Sequence, residues 1–493
     1  MSRTLFSIGA LQVLIVLVSM GRSKVLSILL GPGGFGVMST IDQVVLTLMN
    51  LGALSLPFTG LKFMSRSHSE GSEPFQRTYL SFLRVLTLLV LTAATLTMAA
   101  LARWPELFGP DLVTYRVPLQ IAILGVPTLA LNILFVNTLA AAQRPSAGAG
   151  LSLLVTLSLA LAAIAGAKLG NLPGLYVGTL VAGVVATVVT LAFLRRSLGL
   201  RISGASQSLF EELRHSPEIV SFAVYFYLIT AASSLTLLAT RFYVFSRLGE
   251  VEAGFLQALL STALTVGAVL VPLSNLYLTP LVNRRMPAPD KARAAHDFAG
   301  KTLILLLLAS LPVILFPRLV LSILFTTEFA VAAKALFLFV LWQCIYQTVN
   351  VYQQLLIGLD DVPFVSLAAT AGFGSAALLI PVLIPHLGLG GAAIALGLGM
   401  AVYGLAAVAR LRLRFGSALP IGVLIRTGYV FGAIGLAGWV FAQRAELTFR
   451  GIGERAGFAI ASVALYWVLL SPADRDFIRT GFGFLRPPRR ARP

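Results

Sequence analysis

Apolar runs of about 20 residues or more follow one another with few interruptions along this chain, and a run of that length is what one helix needs to cross a bilayer. About fourteen such spans can be placed, at 5–30, 35–64, 79–103, 112–142, 147–169, 173–196, 217–247, 253–281, 299–326, 329–357, 362–386, 389–413, 420–442 and 454–471. Charge falls mostly between the runs. Only 11% of the 493 residues are Asp, Glu, Lys or Arg, against about 25% in a soluble globular domain. Charge this sparse cannot coat a water-soluble particle of this size, so the chain reads as an all-α integral membrane protein. The first run, Leu5 to Leu30, is longer than a signal-peptide core and lacks a small-residue cleavage pattern. It is therefore expected to persist as the first helix.

The formal net charge is +18. In a soluble protein that would suggest nucleic acid. Here the basic residues sit mainly in alternate connections, where topology accounts for them better, and no nucleic-acid partner is expected. Arg195, Arg196 and Arg201 lie on one side. So do Arg284, Arg285, Lys291 and Arg293, then Arg410, Arg412 and Arg414, and the tail with Arg486, Arg489, Arg490 and Arg492. The positive-inside rule makes this side cytoplasmic and, with an even number of helices, puts both termini there. The opposite connections near Arg103–Arg116 and Arg444–Arg455 mix acids with bases. Two cytoplasmic connections, Ser65–Thr78 and Arg284–Gly300, read either as short surface helices or as solvated loop. The lone cysteine, Cys344, lies inside an apolar run and reads as a packing residue.

The chain resembles itself at an offset of 218. Gly31 and Gly36 recur as Gly249 and Gly254, Asn132 as Asn350, and Leu169-Gly170 as Leu387-Gly388. An intramembrane arginine, Arg22 or Arg241, precedes each of the first pairs. The expected organisation is an N-terminal lobe of six helices (1–200), a C-terminal lobe of six (210–415), an extra helix pair (420–471) and a basic cytoplasmic tail (472–493). Six helices per repeat is an even number. The lobes would then be parallel repeats around a central cavity, as in alternating-access transporters.

Charges inside a span cost roughly 3 kcal/mol on insertion scales and need a reason. Arg22 stands about 12 Å from the end of its helix at Leu30, and Arg241 is at similar depth before Leu248. They either line a cavity and bind an anion, for which a guanidinium fork suits phosphate, or anchor at the interface. Lys24 is about 200° further round the helix and cannot share the direction of Arg22. Asp42 either pairs with one of these cations or carries a coupling proton or cation. Gln343, Gln347, Asn350 and Gln354 form one helical stripe, flanked by Tyr346 and Gln353. Such a face avoids lipid and serves either a neighbouring helix or sugar hydroxyls. Asn50, Asn132, Asn137 and Asn275 add polar groups at plausible depth, and Pro57 and Pro272 are candidate bends. No phosphate-binding loop, zinc helix or nucleophile elbow is present, so neither an enzyme nor a cofactor is expected.

The segment Arg22-Ser23-Lys24-Val25-Leu26-Ser27-Ile28-Leu29-Leu30-Gly31-Pro32-Gly33-Gly34-Phe35-Gly36 resembles the first-helix signature of bacterial polysaccharide flippases. These belong to the multidrug/oligosaccharidyl-lipid/polysaccharide exporter superfamily. Leu139–Arg144 and Leu355–Asp361 are similar to further recurring patterns of that group. The resemblance spans roughly residues 5 to 415. It implies flipping of an undecaprenyl-pyrophosphate-linked oligosaccharide from the cytoplasmic to the periplasmic leaflet, for O-antigen or exopolysaccharide synthesis. Arg22 and Arg241 would hold the pyrophosphate. From the reading of the residues themselves, Lys24 is a further candidate for it, and Asn132, Gln343, Gln347, Asn350 and Gln354 are candidates for the glycan. Membrane lipids, a polysaccharide polymerase and export machinery would be its partners. Compared with the lipid II branch, no arginine lies between Val44 and Phe58 and Ser23 stands in place of an acid. Rival readings are a lipid II flippase, a cation-coupled multidrug exporter, which needs cavity acids, and a membrane polysaccharide polymerase or ligase, which needs a large outer loop.

The topology has a direct test. Alkaline phosphatase fused in the turn after Gly34 should be active and should be silent after Arg414, where a fluorescent protein that folds only in the cytoplasm should glow. The reverse pattern would invert the assignment.

Overall fold

The structure is a computed structural model and describes residues 2–108, 110–200, 217–268, 270, 274, 278, 286–416, 421–441, 448–470 and 475. Among these residues the chain is helical throughout, with no strand. In order the helices are α1 (Ser2–Gly52), α2 (Leu56–Glu70), α3 (Ser72–Arg103), α4 (Pro110–Val113), α5 (Arg116–Leu124), α6 (Val126–Ala141), α7 (Pro145–Leu198), α8 (Pro217–Leu248) and α9 (Glu250–Ala268). They continue as α10 (Ala288–Leu315), α11 (Pro317–Leu324), α12 (Ala333–Gly358), α13 (Val362–Leu387), α14 (Leu389–Phe415), α15 (Ile421–Phe441) and α16 (Phe449–Leu469).

Neither α1 nor α7 is a straight rod. A straight helix would separate Arg22 from Asp42 by about 30 Å, yet their side chains meet at 3.8 Å. The chain reverses at Gly31, whose φ of 66° belongs to the left-handed region that glycine occupies without steric cost. In α7 the break falls at Gly170 and Asn171. The two arms are so close that a Cβ on Gly166 would lie 2.1 Å from the Gly174 carbonyl oxygen. Twelve helices of the described residues are long and apolar enough to cross a membrane, and α1 and α7 each count once among them. Counting each hairpin as two arms gives fourteen, the number expected from hydropathy. The protein is an all-α, multi-pass membrane protein.

The chain forms two compact units. One comprises Ser7–Gln257 and Val362–Gly388, the other Met1–Phe6, Ala258–Asp361 and Leu389–Pro493. In the first, α2 lies against α3 and α6, α6 against α7, and α13 along α8. In the second, α12 lies along α14 and against α10, and α10 along α15.

The tightest approach in the first unit joins the second arm of α1 to the start of α9. A Cβ on Gly36 would lie 2.0 Å from the Glu250 carbonyl oxygen, and one on Gly254 would lie 2.0 Å from that of Pro32. Small residues at such crossings let two backbones touch, which is how helices gain packing energy in lipid. The contact is reciprocal between residues 218 apart in sequence. The turns before them match too, with positive φ at Gly31 (66°) and Gly249 (97°). Nearby, the Tyr115 hydroxyl donates to Glu250 Oε1 at 2.7 Å. Burial and this carboxylate push the phenol up to about 12, so it remains a donor at neutral pH.

Several local expectations are corrected. The run 35–64 is broken at Ala53–Ser55, where Leu54 and Ser55 adopt positive φ (47° and 57°). Pro57 does not bend a helix. It sits in the first turn of α2, where its missing N–H removes no helical bond. The connection at 65–78 is not a loop, since α2 runs to Glu70 and α3 starts at Ser72. Likewise α10 begins at Ala288, so most of the connection before Gly300 extends the spanning helix. Pro272 and Asn275 lie outside the described residues. Arg455, assigned by hydropathy to a charged connection, is fully buried in α16. Its Nε donates to Leu315 O at 2.5 Å and its Nη2 to Phe441 O at 3.4 Å, the terminal carbonyls of α10 and α15. It lies over the rings of Phe316 and Phe441 at 5.6 and 5.2 Å. One guanidinium thus satisfies the negative ends of two helices.

The glycine crossing predicts a sharp contrast in stability. Gly36→Ala or Gly254→Ala should cost about 1–3 kcal/mol and lower the melting temperature of the purified protein. Gly374→Ala, with nothing within 4 Å of its Cβ position, should leave it unchanged. Equal melting of all three would refute the close approach.

Candidate functional site

The reversal at Gly31 folds the first arm of α1 against the second, and the crossing at Gly36 and Gly254 holds the second arm near the end of α8. Three charged side chains converge there. Arg22 Nη2 lies 3.8 Å from Asp42 Oδ2. Arg241, on α8, donates from Nη1 to Ser39 O at 3.3 Å, one turn of helix before Asp42. The other Asp42 oxygen, Oδ1, accepts from the Tyr176 hydroxyl at 3.0 Å, which is also 3.0 Å from Met38 O. Two arginines and one aspartate leave the cluster net positive.

The donors of this cluster are underused. The Nε atoms of Arg22 and Arg241 are both buried, with no hydrogen-bond partner among the described residues. A guanidinium has five N–H groups in a planar fork matched to carboxylate and phosphate oxygens. An oxyanion could use these donors once the side chains turn them toward it, since both Nε atoms are buried. Arg22 and Asp42 keep 32% and 36% of their side-chain surface exposed, so the pair is reachable. Lys24 is partly buried two residues along, on a different side of the same helix.

The polar groups proposed for glycan contact separate into two kinds. Asn132 is buried, and its amide donates to Thr128 O at 2.8 Å and to Thr187 Oγ1 at 3.1 Å, tying α6 to α7. Asn50 donates to Ser234 Oγ at 2.8 Å and Asn137 to Pro57 O at 2.8 Å. Those amides serve helix packing. The stripe on α12 lies in the other compact unit. Gln343 is buried there, and a Cβ on Gly267 would lie 2.0 Å from its Nε2 and 2.5 Å from that of Gln347. The absence of a side chain at Gly267 makes room for this amide pair. Asn350 and Gln354, further along, are partly exposed. The stripe is therefore a helix contact at one end and accessible at the other.

Sequence reasoning missed one charged cluster. Asp361, only 3% exposed, accepts from Arg410 Nε at 2.7 Å and Arg410 Nη2 at 3.1 Å, and pairs with Arg414. Arg410 and Arg414, assigned to topology alone, bind the turn after α12 to the end of α14. The signal was an acid in the Leu-Asp-Asp turn with arginines spaced one helical turn apart, 49 and 53 residues later. Among the described residues no group of His, Cys, Asp and Glu could hold a metal ion.

No family model and no curated protein matches the chain. Solved structures do match, over nearly their whole length. The chain superposes on the lipid II flippase MurJ in an inward closed conformation with a TM-score of 0.69 and 14% identity, covering 96% of this chain and 100% of that one. It superposes on a multidrug resistance MATE family transporter of the MOP superfamily, inward-facing, with a TM-score of 0.59 and 16% identity, covering 84% and 98%. A MOP superfamily transporter from Pyrococcus furiosus, described by a binding pocket of reverse polarity, gives 0.53 and 15%, covering 84% and 96%. The chain has the fold of the MOP superfamily transporters.

Proposed function

We propose that the protein is a flippase that moves an undecaprenyl-pyrophosphate-linked oligosaccharide from the cytoplasmic to the periplasmic leaflet of the inner membrane by alternating access, for assembly of a surface polysaccharide. The observation that carries this reading is the convergence of Arg22 and Arg241 on the Ser39–Asp42 segment with buried, idle Nε donors. A diphosphate is the part of such a substrate that the bilayer excludes most strongly, and two guanidinium forks can replace its water. Of the amides on the α12 stripe, Asn350 and Gln354 are partly exposed and are the candidates for sugar hydroxyls. The isoprenoid tail has a candidate path of its own in the other unit, a groove of about 770 Å³ between α10 and α16 lined by Leu308, Leu311, Leu315, Ile460, Val463 and Trp467. The resemblance of the first-helix segment to polysaccharide flippases supports the substrate class, and the shared fold of a lipid II flippase supports the type of movement. In this reading the chain works in sequence with a polymerase and export machinery, with both termini in the cytoplasm and the lobes 1–200 and 210–415 as the moving repeats.

Export of cationic drugs is disfavoured by the sign of the cluster, since two arginines outnumber the single aspartate. A lipid II substrate is disfavoured by the missing second-helix arginine and by Ser23.

Deletion of the gene should abolish one surface glycan, and the wild-type gene should restore it. Arg22→Ala and Arg241→Ala, at equal membrane abundance, should each lower restoration by tenfold or more, since losing an anion contact costs about 1.5–3 kcal/mol. Arg196→Ala, exposed at the end of α7, is the suitable control; Arg410 is not, because it holds Asp361. Full restoration by both cavity variants would place the phosphate elsewhere, and intact glycans after deletion would remove the substrate class.

A further inference from the structure

Asp42 poses a problem for an anion carrier, because it is an anion set among the cations that the substrate needs. The form of its pairing is informative. The Arg22–Asp42 contact is 3.8 Å, longer than the 2.7–2.9 Å of a charge-assisted hydrogen bond. It engages Nη2 and leaves the Arg22 Nε without a partner among the described residues. The same chain shows what a permanent pair looks like. Asp361 is almost fully buried and bound two-pronged by Arg410 at 2.7 and 3.1 Å, with Arg414 added. Asp42 is instead reachable, loosely held by its arginine, and anchored from the other side by the buried Tyr176 hydroxyl. With that second anchor, the carboxylate can lose Arg22 and still keep a hydrogen bond.

We propose that Asp42 is a resident counter-ion that takes the place of the substrate's phosphate on Arg22 whenever the carrier is empty. This rests on the reading that Arg22 and Arg241 bind that phosphate. Buried cations without an anion are costly in a low-dielectric setting. A carrier whose arginines were compensated only by substrate would be stable when loaded and strained when empty, and its return would be slow. With Asp42 present, both halves of the cycle carry a compensated cluster. When the diphosphate arrives it displaces the carboxylate from Arg22, and Asp42 stays on Tyr176. When the diphosphate leaves, Asp42 pairs with Arg22 again. While substrate is bound, the like charge of Asp42 weakens its hold and favours release.

The test separates two modes of transport in the full-length protein reconstituted into liposomes. Net transfer, with a polyprenyl-diphosphate oligosaccharide in one leaflet only, requires the empty carrier to return. Exchange, with labelled substrate in one leaflet and unlabelled in the other, does not. Asp42→Asn should bind the lipid tighter, on the order of tenfold, lose most net transfer and keep exchange near the wild-type rate. Tyr176→Phe removes the anchor but no charge, so it should keep both modes within a few-fold. If Asp42→Asn leaves net transfer unchanged, or lowers net transfer and exchange equally in protein that melts normally, the counter-ion role is wrong. If both modes fall and the protein melts early in both variants, Asp42 is a structural residue and the proposal is overturned. Arg22→Gln and Arg241→Gln tell this apart from failure of the parent reading. Binding that survives in both means that the phosphate is not held there at all, whatever Asp42 does.

Discussion

The contact on which the candidate site depends is between two backbones. At Gly36 and Gly254 the second arm of α1 and the start of α9 approach so closely that neither position has space for a methyl group. In lipid there is no hydrophobic force pulling helices together, so close packing carries the association. The reversal at Gly31 and the left-handed turn at Gly249 precede this crossing and send Arg22 and Arg241 back toward it from two different helices. The four glycines stand 218 apart in pairs, Gly31 with Gly249 and Gly36 with Gly254. The charged cluster therefore sits beside the same crossing that packs these two helices.

Cations in this membrane protein are managed in three physically different ways. Arg455 is fully buried, among carbonyl oxygens at the ends of two helices and two aromatic rings. Arg410 and Arg414 close on a buried carboxylate with short contacts. Arg22 and Arg241 share one loosely held aspartate and retain idle donors. The first two arrangements satisfy the charge within the protein. The third leaves two Nε donors without a partner among the described residues, which is the feature the proposed phosphate contact draws on.

Much of this was legible in sequence because hydropathy is a local property. The number of spans, the ends of α8 at Leu248 and α14 near Arg414, and the recurrence of Gly31 and Gly36 as Gly249 and Gly254 could be read without coordinates, but not the backbone crossing those glycines make. Other features depend on tertiary contact. Nothing local marks Leu54 and Ser55 as left-handed. An asparagine that ties α6 to α7 looks in sequence like one that faces a ligand, and only its partners Thr128 and Thr187 decide the matter. Arg455 lies where hydropathy falls, yet it is buried because helix ends gather around it. Asp42 was legible as a membrane acid, but its looseness against Arg22 and its anchor on Tyr176 needed geometry.

The central claim is that this fold carries a lipid-linked anion by its phosphate. The most direct measurement is leaflet-to-leaflet movement in liposomes of two synthetic lipids with the same isoprenoid tail and the same oligosaccharide, one joined by a diphosphate and one by a neutral ether. The account predicts that the purified protein accelerates movement of the diphosphate lipid and leaves the ether at the rate of protein-free liposomes. Equal acceleration of both, or of neither, would contradict it.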